Sequence, residues 1–117
     1  VACAAGIAAL DILVRDELPA RVAQEAPFWE ALLHDGIAGK PHVTDGRNYG
    51  FAGAITLASY PGEPLRRPFE VGMRLWEKGF LVRYGGDTIQ LAPHFVMQRE
   101  QMTSLVEALA ETLDELA

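Results

Sequence analysis

Apolar residues fill every face of the first three turns of Val1–Arg15, VACAAGIAALDILVR, and its alanine content predicts a helix. A helix apolar all round needs cover on all sides. A chain of 117 residues is too small to provide it, so a further surface is expected, from a longer polypeptide or from another subunit. An opening Val1 inside a helix-like run points the same way. Asp16-Glu17-Leu18-Pro19 breaks the pattern, and Pro19 suits the first turn of a second helix. That helix is predicted to run to Gly36 or Ile37, with Leu18, Val22, Ala26, Trp29, Leu32 and Leu33 on one face. Pro27 inside it predicts a kink or a lost hydrogen bond, and Gly36 and Gly39 are stop signals.

His42–Thr44 and Gly53–Ala58 read as strands joined by a loop over Asp45–Phe51. Tyr60–Pro64 is turn-rich. Pro68 opens a third helix with Phe69, Met73 and Trp76 as its stripe, Lys78 in its last turn and Gly79 as its stop. Trp29 and Trp76 are both expected in the core. Phe80–Tyr84 and Thr88–Ala92, separated by Gly85-Gly86-Asp87, form a hairpin candidate that ends in a Pro93-His94-Phe95 corner. A last helix runs from Arg99 to about Leu116. It buries Met102, Leu105, Val106, Leu109, Leu113 and Leu116 and turns Glu107, Glu111, Asp114 and Glu115 outward. Its acidic C-terminus opposes the helix dipole at a cost of a few tenths of a kcal/mol, roughly. The order α-α-β-β-α-β-β-α predicts an α+β fold, a small and mostly antiparallel sheet packed with helices.

Composition narrows the function classes. Half of the residues are hydrophobic and 22% are charged, which is globular and not disordered. A net charge of −6 and a pI near 4.9 argue against nucleic acid or an anionic membrane as partner, and Arg66-Arg67 is too small a basic patch to alter that. The apolar run Val1–Leu10 is shorter than the roughly 20 residues of a membrane helix and lacks the basic leader of a signal peptide. Cys3 is the single cysteine, read as a small apolar residue on a helix face, and a reducing, cytoplasmic setting is the expectation.

Few residues suggest chemistry. His34, His42 and His94 are scattered without ligand-spaced partners, so no metal site is expected. Gly39-Lys40 lacks the rest of a phosphate loop. Arg47-Asn48-Tyr49-Gly50 could line a pocket, although an inter-strand loop explains it. Arg83 stands out. It places a planar, permanently charged fork, suited to a carboxylate, just before two glycines that add no side-chain bulk. The ordinary alternative is a half-exposed strand arginine paired with a neighbour such as Asp87.

LVRYGGDTIQLAPHF resembles the C-terminal signature of the class III aminotransferases, pyridoxal-phosphate enzymes of fold type I. The pattern is an apolar pair, Arg83, two variable residues, Gly86-Asp87, then apolar alternation ending at Pro93. VACAAGIAALDIL is similar to the helix that follows that family's Gly-His-Pro motif, and GRNYGFAGAITLA is similar to its Arg-Gly-x-Gly-Leu strand. The wording VRYGGDTIQ is most like the ω-amino acid–pyruvate subgroup. Gln98 departs from the family, which usually has a better capping residue there, such as Thr. The resemblance implies that residues 1–117 are one domain, the C-terminal part of such an enzyme without its large catalytic domain. It implies that Arg83 binds the substrate carboxylate, that an amino donor and a keto acid are the small-molecule partners, and that the enzyme is a homodimer. It implies pyridoxal phosphate as cofactor, held by a lysine outside this segment, since Lys40 and Lys78 do not stand in the cofactor-linking context. The segment alone is then expected to be inactive. A self-standing, non-catalytic α+β module for ligand binding or regulation would fit the same order of elements.

Overall fold

The computed structural model describes residues 1–117, in four helices and four strands: α1 (Ala2–Arg15), α2 (Leu18–Ile37), β1 (Val43–Tyr49), β2 (Ala52–Leu57), α3 (Arg66–Glu77), β3 (Arg83–Gly85), β4 (Thr88–Leu91) and α4 (Arg99–Glu115). The strands form one sheet, ordered β1-β2-β4-β3 and antiparallel throughout. The α+β expectation holds.

The core lies between the sheet and α2, α3 and α4. Trp29 and Leu33 of α2, Ile55 of β2, Val71 and Leu75 of α3, Ile89 of β4, and Met102 and Leu109 of α4 are fully buried there. In β2 and β4 the buried residues alternate, as expected of a sheet covered on one face. Gly36 of α2 lies against Val106 of α4, and Gly53 of β2 lies under Leu33 and Trp29, so both helices approach closely where a side chain is missing. α2 continues through Pro27, whose missing N–H removes one rung without ending the helix.

Four sequence expectations need correction. The first hairpin is longer than predicted: β1 takes in Asp45–Tyr49, leaving Gly50 and Phe51 as a two-residue turn. Cross-strand pairing with β2 overrides the weak strand propensity of Asp-Gly-Arg-Asn, so Arg47, Asn48 and Tyr49 are strand and not loop. The second hairpin is shorter. Phe80–Val82 are not strand, and the turn is Gly86-Asp87, with Gly86 at a φ of 59°. α3 begins at Arg66, and its inward stripe is Pro68, Val71, Gly72 and Leu75. Phe69, Met73 and Trp76 form an adjacent stripe that faces out, with Trp76 59% exposed. Two apolar stripes one residue apart are equivalent in sequence, and only the tertiary contact chooses between them. Finally, the α4 N-terminus is better tied than Gln98 suggested, because the Gln98 backbone N–H donates to Gln101 Oε1 at 2.9 Å.

α1 buries no residue, and Ile7, Leu10 and Val14 are more than 60% exposed. The apolar surface anticipated from its sequence is therefore present and uncovered within this chain. No helix is long and apolar enough to cross a membrane.

Ion pairs fasten the helices together. Lys78 at the end of α3 donates to Glu111 and Glu115 at 2.8 Å each, Arg74 meets Glu115 at 3.0 Å, and Lys40 meets Asp114 at 2.6 Å. These partners neutralise the acidic C-terminus of α4. Arg99 of α4 reaches Glu25 of α2 at 2.7 Å. The hydrogen bond from Lys78, then that from Arg74, holds the Glu115 carboxyl below its ordinary range, and Arg99 does the same for Glu25. Groups with a lowered folded pKa stabilise above their unfolded value, near 4.3, and lose that contribution as pH falls through the folded value. Melting temperature should therefore decline below about pH 4.5, and the decline should be shallower in a Glu115→Gln variant. The pairs are exposed, so the difference is small. Equal acid slopes in the two proteins would assign the loss to other carboxylates.

Candidate functional site

The second hairpin presents its two faces differently. Tyr84 of β3 pairs with Ile89 of β4, which is fully buried on the helix-covered face. Arg83 pairs with Gln90, and both are exposed on the other face. Strand alternation thus places a guanidinium and a side-chain amide opposite each other. Both line an open cleft of about 800 Å³, between the segment Gly79–Tyr84 and the segment Gln90–His94, with Met97 and Leu105 completing it.

The lining contains no carboxylate and no lysine. The Arg83 side chain makes no hydrogen bond and no ion pair. It differs in this from every other basic side chain: Arg15, Arg47, Arg66, Arg74 and Arg99 meet carboxylates, Arg21 and Arg67 donate to backbone carbonyls, and both lysines are paired on α4. The pairing with Asp87 does not form; Asp87 Oδ1 instead accepts from Thr88 Oγ1 at 2.9 Å. A permanently charged fork with five free donors, in a cleft without a counter-charge, is suited to bind an anion from outside.

Arg21, which sequence reasoning did not single out, shapes one wall of the site. From α2 it donates to the carbonyls of Phe95 and Met97, at 2.6 Å each, and pins the corner that carries His94. No local signal connects positions 74 and 76 residues apart. Gln90 was also missed, but it was legible: Thr88 and Gln90 alternate with buried Ile89 and Leu91, so the hairpin register sets Gln90 beside Arg83. The histidines do not converge. His34 Nε2 lies 2.8 Å from Asn48 Oδ1, His42 Nε2 lies 2.9 Å from the Leu116 carbonyl, and only His94 lines the cleft.

No family model matches the chain. It does match individual proteins over its whole length. The chain corresponds to the C-terminal segment of the class III aminotransferases. It is 51% identical to the β-alanine–pyruvate aminotransferase of Pseudomonas aeruginosa over 117 residues, which is all of this chain and 26% of that protein. It is 48% identical over 116 residues to the ω-amino acid–pyruvate aminotransferase of Pseudomonas putida, 99% of this chain and 26% of that one. In three dimensions it superposes on the ω-transferase of Vibrio fluvialis JS17 with a TM-score of 0.86 at 25% identity, over 97% of this chain and 28% of that one. The chain thus spans about a quarter of the length of these relatives.

The residues present do not make a pyridoxal-phosphate site by themselves. Covalent attachment needs a lysine in the cleft, and Lys40 and Lys78 are engaged with Asp114, Glu111 and Glu115 on the helix layer. The ring nitrogen needs a carboxylate, and none lines the cleft. What this chain supplies is one unpaired cation, Arg83, in a largely apolar wall.

Proposed function

We propose that the segment forms the substrate-carboxylate side of the active site in a pyridoxal-phosphate aminotransferase that moves an amino group from an ω-amino acid or amine to pyruvate. In this reading Arg83 is the clamp. The observation that carries it is the unpaired Arg83 guanidinium in a cleft with no carboxylate of its own. The similarity to pyruvate-using aminotransferases over the full chain supports the choice of substrate class. The cofactor supplies the electron sink when bound; the task of Arg83 is to hold the keto acid by two parallel N–H···O bonds, so that its keto carbon is presented in one orientation. Gln90 can add a neutral donor from the adjacent strand. In this reading the cofactor-binding groups face Arg83 across the cleft, and the rest of the enzyme or a subunit partner in a homodimer covers the exposed apolar faces of α1 and α3.

Such an enzyme must also accept donors without an α-carboxylate. Arg83 has no partner to break and is followed by Gly85 and Gly86, so it can swing aside. The test uses the full-length enzyme with Arg83→Lys, which keeps the charge and removes the fork. The KM for pyruvate should rise about tenfold, the equivalent of roughly 1.4 kcal/mol for one charge-assisted bond, while the half-reaction with an uncharged arylalkyl amine should keep its rate. Equal losses in the two half-reactions would contradict the clamp.

A further inference from the structure

β3 is an edge strand of three residues, bonded to the sheet only through β4. Such a strand has little of its own to fix its position, yet it carries Arg83. The residues on either side of Arg83 are anchored. Val82 is in the core, 8% exposed. Tyr84 points to the opposite face from Arg83 and lays its ring over α3 at Gly72. A Cβ added to Gly72 would stand 2.6 Å from Tyr84 Cδ1 and 2.8 Å from Cε1, closer than unbonded carbons approach. Phe69, one turn earlier on α3, meets the same ring edge-on at 5.9 Å between centroids and 82° between planes. Tyr84 is therefore held in a notch that exists because position 72 has no side chain. Gly72 lies in the interior of a helix, where glycine is otherwise unfavourable, and the notch explains why it is there.

We propose that the Gly72–Tyr84 contact positions Arg83, so that this notch in α3 tunes affinity for the carboxylate-bearing substrate without touching it. The inference rests on the reading of Arg83 as the clamp. Adding one carbon at position 72 displaces the Tyr84 ring, and with it the short strand that presents Arg83 to the cleft. Displacement of a binding group by about 1 Å can cost up to the order of a hundredfold. Gly72 and Tyr84 act through Arg83 and are positioning residues.

The test compares Gly72→Ala, Arg83→Ala and the double variant in the full-length enzyme. Gly72→Ala improves helix propensity, so a loss of function would not reflect a weaker α3. Its KM for pyruvate should rise on the order of tenfold, with the arylalkyl amine half-reaction within about twofold of the parent, and the double variant should be no worse than Arg83→Ala alone. An unchanged KM in Gly72→Ala beside a large loss in Arg83→Ala would overturn the positioning role and leave the clamp standing. An unchanged KM in Arg83→Ala would overturn the clamp itself. A further loss in the double variant would show that Gly72 acts independently of Arg83. If Gly72→Ala fails to fold, Phe69→Ala removes the edge-on contact that backs the Tyr84 ring from outside the cleft; it should raise the KM for pyruvate in the same direction, and an unchanged KM there would overturn the positioning role.

Discussion

Arg83→Ala in the full-length enzyme should reduce kcat/KM for pyruvate by about 10²–10⁴-fold. The magnitude follows from two charge-assisted hydrogen bonds at about 1.5–3 kcal/mol each, with tenfold in rate for every 1.4 kcal/mol or so. The loss should be selective. An uncharged arylalkyl amine has no carboxylate to place, and removing a long exposed side chain opens room for it, so its half-reaction should hold or improve. The fold is not at risk, because the Arg83 side chain is exposed and bonded to nothing in the chain, and the substitution leaves its backbone pairing with β4 in place. Steady-state kinetics with each substrate, set beside single-turnover measurements of the amine half-reaction, separate the two effects. A loss below about threefold with pyruvate would mean that the carboxylate is held elsewhere.

Trp29→Ala should have the largest effect on stability, a loss of about 3–5 kcal/mol by cavity formation. The indole is fully buried under the sheet, and its Cζ2 stands 3.5 Å from the place a Cβ of Gly53 would take. Neither the backbone of Gly53 nor the flanking Leu33 can collapse into the space without unseating α2 from β2. Trp29 Nε1 is buried without a hydrogen-bond partner, which already costs some stability. Trp29→Phe removes that unpaired donor and keeps much of the ring, so it should cost less than about 2 kcal/mol. Denaturant unfolding of the full-length variants, followed by far-ultraviolet circular dichroism, gives the comparison. Equal losses for Phe and Ala would show that the indole edge, rather than ring volume, holds the layers together.

Most of the architecture was legible from spacing. α4 could be read nearly residue by residue, since one apolar stripe recurs every three or four positions against acidic outward positions. The hairpin that carries Arg83 was recognisable from its glycines, although Phe80 and Val82 pack without pairing and Leu81 is exposed. Where reading failed, the deciding contact was distant in sequence. Trp76 and Val71 lie on neighbouring stripes of one helix, and only the presence of the sheet and α4 makes Val71 the buried one. Arg47-Asn48-Tyr49 has poor strand propensity and is strand because β2 pairs with it. Arg83 itself was visible as an oddity in its strand, and the structure adds that no carboxylate neutralises it. Arg21 could not have been found, because the carbonyls it binds are brought to it by the packing of α2 against α4.

The most direct measurement is a crystal structure of the full-length enzyme with a non-reactive keto-acid analogue of pyruvate. The clamp predicts two Arg83 guanidinium nitrogens at about 2.7–2.9 Å from the two carboxylate oxygens. A carboxylate bound by another cation, with the Arg83 guanidinium beyond hydrogen-bond reach in the same cleft, would contradict it.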